Sequence, residues 1–398
     1  MLTNDLLESA RGLSANIVSL RRAIHAEPEL GLQTPATLAK VREALADLPL
    51  TWREGKSCTG AVATLEGARP GRRVLLRGDM DALPIDEPGG LEFASTIPGR
   101  MHACGHDTHT AMLAAAARLL CGMRGEFKGT VDFMFQPGEE GHHGARFMID
   151  DGLLDPLPEA AFALHIMPNA PFGVLAGRAG PLMAAADQFT ITVRGRGGHA
   201  SMPHDCADPV PAAAAIVGAI QAMVTRRFNP ASAVVVTVTQ LAGGMAHNVI
   251  PDTASLGGTI RTLTAENRAR VGTLIAEVAE QVARAYGVEA DCRIEEGFPV
   301  TICDARAVVL GNSVATGIGG EGGWRDLADP IMGAEDFAYV LERTPGAMFF
   351  LGVAGEGDDW RQCCGIHSPR MVVDEKALPT GTAMLAGCAL EFLERGWG

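Results

Sequence analysis

The adjacent acids Glu139 and Glu140, within the run Phe-Gln-Pro-Gly-Glu-Glu-Gly that starts at Phe135, are the first residues of this chain that could do chemistry. Two neighbouring carboxylates can divide the work of metal-assisted hydrolysis, because one can bind a cation while the other moves protons. Taken alone, an acidic doublet is more often a solvated surface pair. The doublet therefore indicates chemistry only if other metal-binding residue types accompany it.

Such residue types recur at separate points in the chain. Cys104 and His106 form a Cys-x-His pair, His165 ends an apolar run, and His367 precedes Ser-Pro. Thiolate, imidazole and carboxylate together are the donor set of a transition-metal site. Each residue also has a plain alternative when considered singly: Cys104 as an inert buried thiol, His165 as a core imidazole, and His367 as an exposed loop residue.

Composition and charge limit the class of protein. The chain has 398 residues, for which two domains are the usual expectation, and 47% of them are hydrophobic. A net charge of −14, with 33 basic against 47 acidic residues, argues against a nucleic-acid or anionic-membrane partner. The N-terminus does not resemble a secretory signal and no membrane span is predicted, so a cytoplasmic protein with free thiols among its nine cysteines is expected.

The first part of the chain alternates strands with helices, which is typical of a largely parallel, helix-covered sheet. Ligands of such sheets bind beyond the carboxyl ends of the strands. Asp79, Asp81, the Glu139-Glu140 doublet and His165 all follow predicted strand ends and should therefore converge. The predicted strands are 74–79, 130–135 and 160–164, and the predicted helices are 6–26, 36–48 and 108–123.

The middle of the chain has a different pattern, from which we predict an inserted α+β domain with a four-stranded sheet and two helices. The catalytic domain would comprise 1–186 and 296–398, and the inserted domain 187–295. The strands predicted for the insert are 188–193, 233–239, 255–261 and 289–294, and its helices are 209–226 and 265–286. Beyond it we predict helices at 306–316, 335–341 and 376–394 and a strand at 348–353.

Seven motifs in order carry a resemblance that covers nearly the whole chain. They are Arg77 to Pro84, Met101 to Asp107, Gln136 to Gly141, Arg196 to Ser201, Asn248 to Pro251, Gly333 to Phe337 and His367 to Pro369. With these motifs the chain resembles the hippurate hydrolase and N-acyl-amino-acid amidohydrolase branch of the dinuclear metallopeptidases, which also include aminoacylases and glutamate carboxypeptidases. The resemblance implies two divalent ions per subunit, with Zn, Mn, Co and Ni all compatible with mixed N, O and S ligands.

The resemblance also implies roles for individual residues. Glu139 would be the general base, taking a proton from a metal-activated water and passing it to the leaving nitrogen. Asp81 would orient a ligating imidazole by accepting its outer N–H. Asp79 stands where the wider group often has a ligating His, which leaves the bridging atom open. The implied metal ligands are Cys104, His106, Glu140, His165 and His367.

Residues of the predicted inserted domain, together with Gly333 of the predicted catalytic domain, complete the implied site. His199 would stabilise the oxyanion from the partner subunit of a homodimer. Asn248, Arg261 and Gly333 would hold the free carboxylate of the substrate, for which a guanidinium is well suited. The sequence alone is equally compatible with His199 as a turn residue, Arg261 as a surface cation and Gly333 as a loop glycine.

The predicted reaction is hydrolysis of the amide bond of an N-acyl amino acid, a small-molecule substrate, to a carboxylic acid and an amino acid. Two alternatives remain open at this point. The first is a dipeptidase or carboxypeptidase on the same scaffold, and the second is a non-catalytic amino-acid-binding or metal-binding protein. A proton-moving Glu139 beside a ligating Glu140 favours an enzyme.

Overall fold

The computed structural model describes residues 2–398, with side chains from Asp5 onward. Its contacts divide the chain into two compact units. The first unit runs to Leu182 and resumes in Ile302–Asp329 and Asp336–Gly398. The second unit comprises Met183–Thr301 and Pro330–Glu335. The short segment Pro330–Glu335 thus packs with the second unit, although the sequence patterns had grouped it with the first.

The strands alternate with helices through most of the chain. The strands are β1 Thr51–Glu54, β2 Ala61–Glu66, β3 Arg73–Asp79, β4 Thr130–Gln136, β5 Ala160–Met167, β6 Leu175–Gly177, β7 Gly180–Met183, β8 Ala185–Arg194, β9 Gly198–His199, β10 Val234–Gly243, β11 Val249–Ile250, β12 Thr253–Thr262, β13 Glu289–Phe298, β14 Thr301–Cys303, β15 Trp324–Asp326 and β16 Gly346–Gly352. The α-helices are α1 Leu2–Gly12, α2 Ser14–His25, α3 Pro35–Ala44, α4 His106–Gly122, α5 Gly144–Asp150, α6 Pro209–Arg227, α7 Ala265–Ala285, α8 Ala305–Gly319, α9 Ala338–Leu341 and α10 Leu378–Arg395.

The first unit is built on a mixed sheet with the strand order β1-β2-β4-β3-β5-β16-β6-β15. Its central strands β4, β3, β5 and β16 are parallel. On one side β1 and β2 run antiparallel to their neighbours, and on the other β6 runs antiparallel to β16 and parallel to β15. Helices α4, α8 and α10 pack on these strands. The predicted α/β class, with a mostly parallel helix-covered sheet, is confirmed.

Helix α4 is buried nearly all round, which suits its run of small alanines between the sheet and other helices. Gly78 in β3 permits this close packing, because a Cβ there would lie 2.9 Å from the carbonyl oxygen of His109. The first turn of α4 is thereby held against the carboxyl end of β3. This is the point at which the predicted ligands converge.

The second unit contains an antiparallel sheet of order β10-β12-β8-β13, against which α6 and α7 pack. Strand β8 alternates buried and more accessible residues, as expected for a sheet with one covered face. The side chains of Asp208 and Thr264 cap the two helices by accepting N–H groups of Val210 and Asn267. The inserted four-stranded α+β unit with two helices is therefore confirmed.

Helix α6 is long and apolar enough, by length and composition, to cross a membrane. One face of the helix is buried within the second unit, where Ala212, Ile216 and Ile220 lie in the core beneath the sheet.

Two predicted helices differ from those observed. The predicted helix 6–26 is two helices, α1 and α2, which meet at Gly12 and Leu13, where the Ser14 hydroxyl donates to the carbonyl of Arg11. The predicted helix 335–341 is reduced to Ala338–Leu341, because Asp336 is held by buried side chains instead of entering the helix.

Candidate metal centre

Gly105 places His106 at the start of helix α4. Gly105 adopts a left-handed conformation with φ of 88°, and a Cβ there would lie 2.6 Å from Cγ1 of Ile166. Only glycine fits this position without strain. The chain consequently turns sharply between Cys104 and His106, and both side chains are buried.

The ring of His106 is oriented by a main-chain carbonyl. Its Nδ1 donates to the carbonyl oxygen of Asp81 at 2.8 Å. Its Nε2 lies 3.7 Å from Asp79 Oδ2 and 4.0 Å from both Glu139 Oε2 and Glu140 Oε1, yet is buried without a hydrogen-bond partner. Burial lowers the pKa of His106, but Asp79 and Cys104 outweigh it and raise the pKa well above the usual value.

Asp81 acts differently from the sequence prediction. Its carboxylate lies 3.6 Å from His106 Nδ1, and the main-chain carbonyl of Asp81 takes the hydrogen bond instead. The two carboxylate oxygens accept the N–H groups of Glu139 at 2.9 Å and of Glu140 at 3.0 Å. Asp81 therefore fixes the turn that carries the acidic doublet as well as the imidazole.

His165 and Cys104 face each other across the end of β5. His165 Nδ1 donates to the carbonyl of Ile166 at 2.6 Å, and its Nε2 lies 3.3 Å from Cys104 Sγ. Burial, with the nearby His109, holds the pKa of His165 well below its usual value, so the ring is neutral. Burial also raises the pKa of the Cys104 thiol.

His367 approaches the same place from the far end of the chain. Its backbone has a φ of 63°, and its N–H donates to the carbonyl of Ala103 at 2.7 Å. Its Nε2 lies 3.3 Å from Glu140 Oε1. The close approach of Cys104 and Glu140 raises the pKa of His367 to about 10. For Glu140, burial raises the pKa, but His367 and His106 outweigh it and the net shift is downward.

These donors fit divalent cations. Cys104, His106 and His165 form one triad whose ligand atoms lie within 4.8 Å of one another, and Cys104, Glu140 and His367 form a second. His106 Nε2 and Glu140 Oε1 are buried without a hydrogen-bond partner, as expected of atoms that bind a cation. Mixed S, N and O donors suit a transition metal. The two triads share Cys104.

Asp79 and His109, which lie beside the triads, have their polar atoms occupied. Arg77 donates to Asp79 Oδ2 at 2.5 Å, and His109 Nδ1 donates to Asp79 Oδ1 at 2.7 Å. His109 Nε2 in turn accepts the N–H of Ile166 at 2.9 Å. Burial raises the pKa of Asp79, but Arg77 and the imidazoles of His106 and His109 hold it well below the usual value. Asp79 and His109 therefore support His165, and with His106 they also form a further group of donors close enough together to hold a cation.

The sequence did not predict a buried polar cluster formed by Arg77, Gln136 and Asp336, which contacts Asp79 through Arg77. Arg77 also donates to Gln136 Oε1 at 2.9 Å and pairs with Asp336 at 3.2 Å, and Gln136 donates to Asp336 at 2.6 Å. The available signal was a charged residue within an apolar strand, because buried charges require partners. All three residues belong to motifs that carried the resemblance.

The remaining predicted residues lie on the second unit. His199 and Asn248 are exposed neighbours on the two-stranded β9-β11 ribbon, where Ala200 N–H donates to the carbonyl of Asn248 at 3.1 Å. Arg261 is half-buried on β12, with Nη1 donating to the carbonyl of Ile260. Gly333 lies near Met183, and its carbonyl accepts the N–H of Ala184.

A buried S, N and O donor set at the carboxyl ends of parallel strands, next to a carboxylate able to move protons, defines a dinuclear metallohydrolase. The profile of Peptidase family M20/M25/M40 matches residues 75–391. The chain belongs to this family.

Individual relatives extend the match over the whole chain. The chain is 36% identical over 385 residues to N-acetylcysteine deacetylase of Bacillus subtilis, covering 96% of this chain and 98% of that protein. It is 35% identical over 401 residues to thermostable carboxypeptidase 2 of Saccharolobus solfataricus, covering 98% and 99%. The crystal structure of a dinuclear metal-binding M20 peptidase from Bacillus subtilis superposes with a TM-score of 0.83 at 33% identity, covering 96% and 99%.

The comparisons and the donor clusters together confirm three expectations. The protein is an enzyme, it is a metal-dependent hydrolase of the amidohydrolase and peptidase type, and it uses two divalent metal ions.

Proposed function

We propose that the protein hydrolyses the amide bond of N-acyl amino acids of the hippurate or N-acetyl type, releasing a carboxylic acid and a free amino acid. The observation that carries this proposal is the buried Glu139 beside Glu140, with Asp81 holding both main-chain N–H groups. The deacetylase relative supports an N-acyl substrate.

For the metal ligands we propose Cys104, His106, Glu140, His165 and His367, of which Cys104 would be available to both ions because it belongs to both triads. The support is the geometry of the two triads and their common sulfur. When bound, divalent cations polarise an amide carbonyl and lower the pKa of water from about 15.7 toward about 7. Asp81 and Ile166 orient the two imidazoles through their carbonyl groups.

Glu139 is the proposed proton carrier of the reaction. Its side chain is 9% exposed, and its Oε2 lies 4.0 Å from His106 Nε2. Asp81 fixes the turn that carries the Glu139 carboxylate by accepting the main-chain N–H groups of Glu139 and Glu140. Glu139 takes a proton from the attacking water and delivers it to the leaving nitrogen, a role worth about 10²–10⁴ in rate.

The second unit supplies the remaining proposed roles. His199 donates to the oxyanion from the partner subunit of a homodimer, and Asn248, Arg261 and Gly333 bind the substrate carboxylate. Strand β10 lies at the edge of its sheet and exposes Val235 and Leu241, which supports pairing with a second copy.

A carboxypeptidase or dipeptidase activity is the second candidate, because the thermostable carboxypeptidase matches over nearly its whole length. The two activities differ in the group on the amide carbonyl, an acyl chain in one and an amino acid in the other. A non-catalytic binding protein is disfavoured, since it has no use for a buried proton carrier.

The test is amino-acid release from hippurate, N-acetyl amino acids and dipeptides by the protein loaded with Mn²⁺ or Zn²⁺. We expect release from N-acyl substrates, and Glu139→Gln should lose it by at least about a hundredfold while keeping its metal. Release from dipeptides only would favour the peptidase. Full turnover by Glu139→Gln would contradict the role of Glu139.

A further inference from the structure

The side chain of His199 is held by its neighbour Ser201. The Ser201 N–H lies 3.2 Å from His199 Nδ1, and the Ser201 hydroxyl lies 2.8 Å from the same nitrogen. A main-chain N–H can only donate a hydrogen bond, so Nδ1 must be the acceptor. The proton of the neutral ring is therefore on Nε2.

The main chain of His199 is also fixed, although the residue is exposed. His199 pairs with Val249 across the β9-β11 ribbon, and its carbonyl accepts the N–H of Met202 at 2.8 Å. Contacts at the backbone and at Nδ1 leave Nε2–H as the free polar group of the ring. An imidazole held in this way resembles a prepared hydrogen-bond donor.

The histidines of the metal centre show the opposite arrangement. His106 and His165 each place Nδ1 against a main-chain carbonyl, which can only accept, so Nδ1 carries a proton and Nε2 is the nitrogen left to bind a cation. His199 has a donor at Nδ1 and offers an N–H. The hydrogen-bond partner at Nδ1 thus distinguishes His106 and His165, whose Nε2 is suited to bind a cation, from His199, whose Nε2–H is suited to donate to an anion.

We infer that Ser201 is a positioning residue for the proposed hydrolysis: its N–H and hydroxyl fix His199 as the Nε2–H tautomer, so that the ring presents Nε2–H to the oxyanion. The inference rests on the proposed role of His199. Ser201 acts only through His199 and does not touch the reacting atoms.

The test combines NMR of the ring with kinetics in the Zn²⁺-loaded full-length protein. Histidine labelled with ¹⁵N in the imidazole reports which nitrogen carries the proton, and the signal absent from His199→Ala identifies His199. Ser201→Ala removes the hydroxyl, and Ser201→Thr retains it. His204→Ala is the matched control, since His204 is an exposed histidine of the same loop and its side chain is 76% exposed.

At a pH where the ring is neutral, wild type and Ser201→Thr should show Nε2–H alone. Ser201→Ala loses the 2.8 Å contact of the hydroxyl and keeps only the longer 3.2 Å contact of the main-chain N–H, so it should show a mixture in which Nε2–H is less dominant. The kcat of Ser201→Ala should fall roughly three- to tenfold, the factor that one hydrogen bond supplies, with KM nearly unchanged. Ser201→Thr should restore kcat, and His204→Ala should leave it unaltered.

A wild-type ring with the proton on Nδ1, or the same tautomer and kcat in Ser201→Ala, would overturn the inference. An unchanged kcat in His199→Ala would instead contradict the role proposed for His199, and with it any effect of Ser201 on turnover. The tautomer is measured without turnover, so the two failures are distinguishable.

Discussion

The metal centre of the first unit and the β9-β11 ribbon of the second hold their polar groups in contrasting ways. Around the metal centre, His106, His165 and Asp79 are buried and each is fixed by a partner that is itself buried. On the ribbon, His199 and Asn248 are exposed and are fixed chiefly by local backbone contacts.

The difference separates two tasks. Buried donors must be arranged before a cation arrives, because an unsatisfied buried polar atom is costly. A group that donates a hydrogen bond to a transient oxyanion has no such requirement, because solvent satisfies it until the oxyanion forms. We therefore expect changes at the metal centre to alter metal content, and changes on the ribbon to alter turnover with the metal retained.

The largest effect is expected for Cys104→Ala. Because Cys104 belongs to both triads, its loss should reduce metal content below two ions per subunit and lower kcat/KM by at least roughly a thousandfold. Elemental analysis and kinetics measure the two quantities. Cys121→Ala, at the other end of helix α4, is the control. Two tightly bound ions in Cys104→Ala would contradict the shared-donor assignment.

His199→Ala tests the other side of the comparison. Loss of an oxyanion donor should reduce kcat by about 10²–10³-fold with two ions still bound. The assay pairs kinetics with elemental analysis of the same sample. Loss of metal from this variant would contradict the expectation that residues of the ribbon affect turnover and not metal binding.

Asp79→Asn should weaken metal binding without removing a ligand. The change leaves Arg77 and His109 with a poorer partner, so His165 is held less firmly and metal affinity should fall about 10–100-fold. Competition with a chelator measures this affinity. Asp132→Asn is the control, because Asp132 is equally buried and pairs with Arg73 on the same two strands. Equal losses of affinity in both variants would indicate general destabilisation.

Metal loading at pH 7 should release about three protons per subunit, from Cys104, His106 and His367. The pKa of each of these groups is raised in the metal-free protein, so each is protonated at pH 7, whereas the lowered pKa of His165 leaves that ring neutral. Affinity should therefore rise as pH increases toward about 10. Calorimetry in buffers of different ionisation enthalpy counts the protons. His367→Gln should release one fewer, and an unchanged count would contradict the assignment.

The sequence predicted the donor types of the metal centre because Asp79, Glu139 and His165 follow strands whose ends meet at one edge of the sheet. It could not predict which atom of Asp81 holds His106, since the carbonyl and the carboxylate lie in the same residue. That choice is decided by the turn at Glu139 and Glu140, which takes both carboxylate oxygens.

The same limit applies to Arg77 and to the elements of the fold. A charged residue in a strand is equally compatible with an exposed edge, and only tertiary structure shows that Arg77 is buried against Asp79 and Asp336. Long periodic helices such as α7 were predicted nearly to the residue. The short strands β6 and β15 are set by pairing with distant segments and have no local signal.

The hydrogen bond from His367 to the carbonyl of Ala103 has a consequence for biosynthesis. It joins the last donor in the chain to the residue before the first, and the whole second unit lies between them in the sequence. During synthesis the second unit can bury its own core while the metal centre still lacks His367. Both triads can therefore be complete only in a chain that has been translated beyond His367. A chain truncated before His367 lacks one of the proposed ligands.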